Sequence, residues 1–382
     1  MTGPSPPRPI AAHFLLVPEL LHSPPNEAII SALLENGFDV HVFAPGPCGS
    51  TAPYGERVST HPVAYSMRWL LGQAWRPRWR RYACFSGTTE DPIAVVGVLA
   101  RLHRRPAFIL GDEIRAGSYR GPRSERWKRL CLDAYRRARF TIVNDSHRVP
   151  LVREYASLPP AQPVLVYPGC FRQPPERDPV LRQRLRQSWG IGADALTLAI
   201  SGGFNLTAGA DWLLDALHED PSLCAVIQPL GVDPLALYLL RRLSLGGRLH
   251  IETERLSWQE AWRSAVGYDI GLAVYTNPAP QFQAMGVSSN RLCMYLAMGV
   301  PVICSRQASF QFVEDFGCGV MVDDGAGFLA AAQHLGADLD ARREDCARCF
   351  HDHIRPQERY RALVEAIGTL GRPLKREPPA TP

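Results

Sequence analysis

Apolar positions along the chain switch repeatedly between short continuous runs and a three-to-four-residue spacing. The first run, His13 to Val17, predicts a buried strand. Asn26 to Glu35 then carries Ile29, Ile30, Leu33 and Leu34 at helical spacing and stops at Asn36-Gly37, where glycine accepts a left-handed helix end. Val40 to Phe43 is the next strand, ending at Ala44-Pro45. Strand, helix, strand in this order is the crossover unit of a parallel sheet. The alternation continues with a helix over Ile93 to Leu102, a strand over Ala107 to Leu110, a basic amphipathic helix over Glu125 to Arg139 and a strand over Phe140 to Val143. A helix capped by Asp145 or Ser146 follows and runs through Tyr155, and a strand over Val164 to Tyr167 leads into Pro168-Gly169.

A charged stretch, Pro-rich at its start, occupies residues 172–194, and the alternation begins again beyond it. Strands are predicted at Leu196 to Ser201, Ala225 to Gln228, Leu249 to Glu252, Ile270 to Val274, Val300 to Cys304 and Gly319 to Val322, with helices between them, notably Ala210 to Leu217 and Trp258 to Ala265. The expected class is therefore α/β: two doubly wound Rossmann-like domains facing an interdomain cleft. The expected division is 1–175, 176–355, a helix over 356–371 that crosses back to the first domain, and a disordered tail over 372–382.

Composition supports this and narrows the class. A chain of 382 residues, 46% hydrophobic and 21% charged, is long enough for two full cores and too apolar to be disordered. No apolar run approaches the roughly 18–20 residues that span a bilayer, and the start lacks a basic signal-peptide region, so a cytoplasmic protein is expected. The net charge of +5 is unevenly shared. Residues 1–170 hold 21 Lys and Arg against 13 Asp and Glu, whereas the remainder holds 21 against 24. The positive field thus belongs to the first half. No Gly-x-Gly-x-x-Gly follows the first strand and no Gly-x4-Gly-Lys-Ser/Thr occurs, which argues against the usual dehydrogenase and NTPase sites. Ten scattered cysteines, several in apolar surroundings, read as buried small hydrophobes. Cys346, Cys349, His351 and His353 have zinc-ligand chemistry, but on one helix end they point around much of the circumference, and no metal is expected.

Residues 286–306, GVSSNRLCMYLAMGVPVICSR, carry the most specific chemistry. Ser288 or Ser289 can cap a helix whose apolar face is Leu292, Tyr295 and Leu296, and Gly299 with Pro301 ends it before a strand. Free backbone N–H groups at such a helix start, with Arg291 one turn in, suit a diphosphate facing the cleft. The pattern resembles the nucleotide-sugar segment of family-4-type GT-B glycosyltransferases, through Ser288, Arg291, Ala297, Gly299, Pro301, Val302 and Ile303. Weaker likenesses lie in Glu35 to Phe43, Val166-Tyr167-Pro168-Gly169 and Phe312 to Val322.

The resemblance implies a GT-B fold, a nucleotide-sugar donor site at Gly202, Gly203, Asn205, Ser288, Ser289, Asn290, Arg291 and Met294, and no cofactor beyond the donor substrate. Three departures accompany it. Met294 stands where the family commonly has a ribose-binding Glu, and Gly286 stands where an earlier Glu is frequent. The loop Ser201 to Gly209 lacks the usual cations, leaving charge neutralisation to Arg291, the helix end, and Arg306 or an arginine of the first domain.

On the acceptor side, Asp112 at the end of a strand is the leading general-base candidate, with Glu113 second and His22 and Glu19 competing by location. A solvated loop acid, or an ion pair with Arg115, is the alternative for Asp112. Met67 to Tyr82 interleaves Trp69, Trp75 and Trp79 with Arg68, Arg76, Arg78, Arg80 and Arg81. That stretch suits a membrane surface or a lipid-diphosphate acceptor. RNA would also fit it, but no nucleic-acid module is present, and a solvated basic loop with core tryptophans is the plain alternative. The expected activity is transfer of a sugar from a nucleoside-diphosphate sugar to a hydroxyl of a glycan, glycolipid or small molecule, in the cytoplasm or on the inner membrane face. A non-catalytic binding subunit and a nucleotide-sugar epimerase of the same fold are the alternatives.

Overall fold

The computed structural model describes residues 7–112, 122–229, 245, 247–254 and 256–370. The chain divides into two compact units, residues 1–143, 149–167 and 358–382 in the first and residues 144–148 and 168–357 in the second. The short stretch 144–148 thus groups with the second unit, although it follows a strand of the first.

The first unit is built on β1 (Ile10–Phe14), β2 (Asp39–Ala44), β3 (Val58–Pro62), β4 (Tyr82–Thr88), β5 (Ala107–Leu110), β6 (Thr141–Val143) and β7 (Val164–Val166). Their order is β3-β2-β1-β4-β5-β6-β7 and every pairing is parallel. The winding reverses between β1 and β4, which is the switch point of a doubly wound sheet. Helices Pro24–Glu35 and Glu90–His103 supply crossovers. One face of the sheet buries Ile29, Leu33, Val40 and Phe108, joined by Tyr360, Leu363 and Ile367 from the last helix, Pro356–Gly368. The other face buries Phe14, Phe43, Trp79, Phe85 and Val96. Each such side chain, fully buried, contributes about 1.5–3 kcal/mol.

Two expectations for this unit need correction. The first strand begins at Ile10 and ends at Phe14; Val17 is 41% exposed and leads out toward Pro18. The small Ala11 and Ala12 escape a reading that looks for bulky residues, yet both are fully buried. Strands β3 and β4 were not foreseen. In β4, Ser86 and Thr88 look like loop residues but are buried, and Ser86 Oγ lies 2.8 Å from His13 Nδ1 on β1.

The second unit contains β8 (Thr197–Gly202), β9 (Cys224–Pro229), β10 (Leu249–Ile251), β11 (Ile270–Ala273), β12 (Val302–Ser305) and β13 (Gly319–Val322), all parallel in the order β10-β9-β8-β11-β12-β13. Its switch point lies between β8 and β11. At the opposite end of β11, buried Asp269 accepts from Arg182 at 2.6 Å, Arg186 at 2.9 Å and the Thr197 N–H at 3.0 Å. This pairing compensates a carboxylate that would otherwise be costly to bury, and ties the helix Pro179–Ser188 to the sheet.

All ten cysteines are free and nine are buried. Cys346 and Cys349 face the core of the second unit, while His351 is exposed and His353 stacks on Phe312 at 4.2 Å. Burial pushes the Cys346 thiol well up. No described helix is long and apolar enough to cross a membrane.

Candidate functional site

In open α/β sheets, ligands bind beyond the carboxyl ends of the strands at the switch point. In the second unit that place is formed by the loop after β8, the residues after β11 and the start of the helix Asn290–Ala297. Gly202 has φ +96, a conformation that glycine adopts readily, and it turns the chain from β8 into the exposed loop through Gly203 and Asn205. Ser289 is the cap of the helix: its Oγ accepts from the Leu292 N–H at 3.2 Å. The helix is locked onto β8 by Tyr295, whose hydroxyl accepts from the Ser201 N–H at 2.8 Å and donates to the Ala199 carbonyl at 3.2 Å. Gly271 on β11 is needed for this seat, because a Cβ there would lie 2.3 Å from the Tyr295 ring.

Arg291 is in the first turn of that helix. One terminal nitrogen donates to the Gly203 carbonyl at 3.1 Å and the guanidinium lies 5.3 Å from the Tyr275 ring centroid. Its other terminal nitrogen, Nη1, is buried and has no hydrogen-bond partner. Tyr275, just past β11, places its hydroxyl 2.6 Å from Ser289 Oγ. Thus Gly203, Asn205, Ser289, Arg291 and Tyr275 converge at one end of the sheet. An unpaired guanidinium donor beside a glycine loop and a capped helix start can hold a phosphate or diphosphate.

The other donor-site candidates lie differently. The Ser288 hydroxyl donates to the Met285 carbonyl and is turned away from the cap. Asn290 packs beside Gly169, where its buried Oδ1 has no partner. Met294 is 3% exposed and packs in the core of the second unit. Arg306 is engaged by Asp323 at 2.9 Å and the Met321 carbonyl at 3.1 Å. The Asn205 side-chain oxygen, Oδ1, accepts from the Thr207 hydroxyl at 2.8 Å, which shapes the loop.

Tyr275 had no signal in the sequence beyond its place after a predicted strand. Gly286 has one that shows only in space. It lies at φ +42, and a Cβ there would sit 2.0 Å from Asp145 Oδ2.

In the first unit, Asp112 follows β5 and is half-buried near Tyr135, whose phenol is pushed well up by burial, with smaller contributions from surrounding groups including Asp112. Glu113 lies outside the described residues. His22 stacks on Tyr54 at 5.7 Å, and burial lowers its pKa. Among the described residues, no group of three or more His, Cys, Asp or Glu is placed to hold a metal ion.

No protein-family model matches the chain. No curated protein matches it either. Solved structures do. HepE from Anabaena, in complex with UDP-glucose, superimposes with a TM-score of 0.70 at 14% identity, covering 94% of this chain and 99% of that one. A glycosyltransferase from Rickettsia africae gives 0.71 at 11% identity, covering 97% and 100%. Sucrose-phosphate synthase from Thermosynechococcus elongatus gives 0.67 at 16% identity, covering 94% and 96%. The chain has the GT-B fold of these proteins over nearly its whole length.

Proposed function

We propose that this protein is a glycosyltransferase that binds a nucleoside-diphosphate sugar at the carboxyl edge of its second sheet and passes the sugar to an acceptor hydroxyl. The observation that carries this reading is the buried, unpaired Nη1 of Arg291, set beside the Gly202-Gly203 turn and the helix start capped by Ser289. A diphosphate leaving group gathers negative charge as the glycosidic bond breaks, and fixed donors there favour the transition state. That a fold neighbour is seen with UDP-glucose makes a UDP-sugar the first donor to try.

Screening UDP-, GDP- and dTDP-sugars for a rise in melting temperature tests the reading, because a ligand of the folded state stabilises it. At least one should raise it and be hydrolysed slowly in the absence of acceptor. Indifference to all three classes overturns the proposal. Binding without turnover favours the non-catalytic alternative, for which the packed Met294 and the cation-free loop are the motivation. Acceptor-independent conversion into an isomeric nucleotide sugar, with no nucleoside diphosphate released, would identify an epimerase.

The acceptor reading rests on the first unit. Leu71 and Trp75 are 65% and 71% exposed, and Arg68, Arg76, Arg78, Arg80 and Arg81 are exposed around them. Trp79 is buried in the core and anchors the segment. Two exposed apolar side chains among five arginines suit an anionic bilayer surface, which would bring a lipid-linked acceptor to the enzyme.

A further inference from the structure

The face of the first sheet that buries Phe43 and Trp79 carries a cluster of polar rings that sugar transfer does not use. On β2 and the edge strand β3, His41 pairs with Ser59 and Phe43 with His61. Residues two apart share a face, so both imidazoles stand on the side of the Phe43 ring. Their centroids are 4.6 Å apart, with His61 Nε2 3.0 Å from His41 Nδ1. Arg81, the last residue of the turn Pro77–Arg81, donates from Nη2 to that same Nδ1 at 3.3 Å and to the Tyr82 hydroxyl at 2.9 Å. A ring nitrogen that accepts from a guanidinium carries no proton, so the proton of His41 is on Nε2. His41 Nε2, His61 Nδ1 and the rest of the Arg81 fork have no hydrogen-bond partner among the described residues.

What the cluster lacks is a negative partner. Elsewhere in this unit Arg57 meets Asp39 at 3.3 Å and Arg137 meets Asp133 at 2.8 Å. Arg81 is held instead by an imidazole and a phenol, and neighbouring Arg78 by the Gln73 side-chain oxygen at 2.8 Å. Neither has an ion pair among the described residues. Burial lowers the His41 pKa to about 4, with His61 and Arg81 acting the same way and only Asp39, already engaged by Arg57, opposing. Burial lowers His61 too, with Arg81 and Arg78 adding to it. Stacking at 4.9 Å from the Trp79 centroid explains the place of Arg78. It does not explain a guanidinium fixed on an imidazole nitrogen, or a second imidazole pressed against that nitrogen. The arrangement concentrates positive potential on neutral rings, and a bound anion offsets it.

We propose that Arg81, His41 and His61, with Arg78 at the rim, form a binding site for a phosphomonoester, separate from the donor site and independent of the sugar-transfer reading. The planar Arg81 fork matches two phosphate oxygens at once. His41 donates from Nε2, and His61 becomes a donor at Nδ1 when it takes up a proton, which the charge of the anion favours. Tyr82 and Ser59 keep their present roles of holding Arg81 and His61. A phosphomonoester reaches such a site on a lipid headgroup or in solution. Exposed Leu71 and Trp75 lie just before the Pro77–Arg81 turn, and apolar side chains beside a phosphate site favour the lipid source.

Titrating the full chain with inorganic phosphate at pH 7.5, while NMR follows isotope-labelled histidine rings, tests the site without any variant. The His41 and His61 signals should both move and saturate, with His61 moving toward its protonated position. Arg81→Gln should weaken the titration about tenfold or more. Arg137→Gln removes the same charge from an arginine that already meets a carboxylate, and should leave the titration within twofold of wild type. Both side chains are exposed, so both variants should keep the wild-type melting temperature. Vesicles containing phosphatidic acid, a phosphomonoester, and vesicles containing phosphatidylglycerol, a diester, matched in surface charge, separate the two sources. A preference of about fivefold or more for phosphatidic acid that Arg81→Gln abolishes assigns the site to lipid. Saturable phosphate binding with no such preference upholds the site and assigns it to a soluble phosphomonoester. Failure to saturate at one or both rings, or weakening by Arg81→Gln no greater than by Arg137→Gln, overturns the site.

Discussion

At the scale of single residues, two side chains make opposite use of burial. His13 is fully buried between Ser86 and Asn26, and burial lowers its pKa to about 4 against a weaker upward pull from the Asn26 hydrogen bond. The unfolded chain takes up a proton near 6.5, whereas the folded chain does not until about 4, so the unfolded state binds more protons between those values. Stability should therefore be intact above pH 6.5 and fall as pH drops toward 4, by on the order of 3 kcal/mol at most. His41, half-buried and also lowered to about 4, adds a smaller contribution of the same sign. Urea titrations from pH 4 to 7 should show this slope, and His13→Gln should flatten most of it. Arg291, by contrast, has a buried guanidinium donor with nothing to bind. If the donor diphosphate takes it, Arg291→Ala removes a charge-assisted hydrogen bond worth about 1.5–3 kcal/mol, and calorimetry should show donor affinity weakened roughly tenfold to a hundredfold.

At the scale of elements, the segment proposed to hold the donor is a short helix whose start is shaped by a distant loop. Gly286→Ala would force a methyl group into the Asp145 carboxylate and strain a left-handed backbone position. The variant should lose about 1–3 kcal/mol or more in urea unfolding, with donor binding weakened in parallel. This requirement was invisible in the sequence, where Gly286 registered only as a missing Glu. The segment 67–81 shows the reverse situation. Its alternation of Trp and Arg was plain, but which tryptophan is core and which is exposed depends on the turn Pro77–Arg81, where Trp79 Nε1 donates to the Gln73 carbonyl at 2.8 Å. If the outer face meets anionic lipid, Leu71→Ala with Trp75→Ala should reduce cosedimentation with phosphatidylglycerol vesicles at least fivefold without lowering the melting temperature. Equal binding by the double variant would count against that surface.

At the scale of the whole molecule, the last helix belongs to the first unit although it follows the second in sequence. Tyr360 Oη donates to Glu35 at 2.7 Å, Asn36 Nδ2 donates to the Val364 carbonyl at 2.9 Å, and Leu363 and Ile367 are core residues. Leu363→Ala and Ile367→Ala should each cost about 2–5 kcal/mol, and hydrogen exchange should show the loss in Ile10–Phe14 and Asp39–Ala44 before it reaches the second sheet. Hydrophobic spacing alone determined the α/β class, the repeated crossover units, most strands of both sheets and the helix that begins beside Ser289, because these depend on contacts within a few residues. It missed β3 and β4, whose burial comes from neighbours far along the chain, and could not choose between Ser288 and Ser289, whose hydroxyls differ only in which backbone group they reach. Tertiary structure alone decided that Tyr275 joins Ser289 and Arg291, that Met294 is packing, and that Asp145 fills the space left by Gly286. Those pairings join residues that are distant in sequence, from 14 positions apart for Tyr275 and Ser289 to 142 for Asp145 and Val287. No local pattern encodes such a distance; the chain must fold before either residue has its partner.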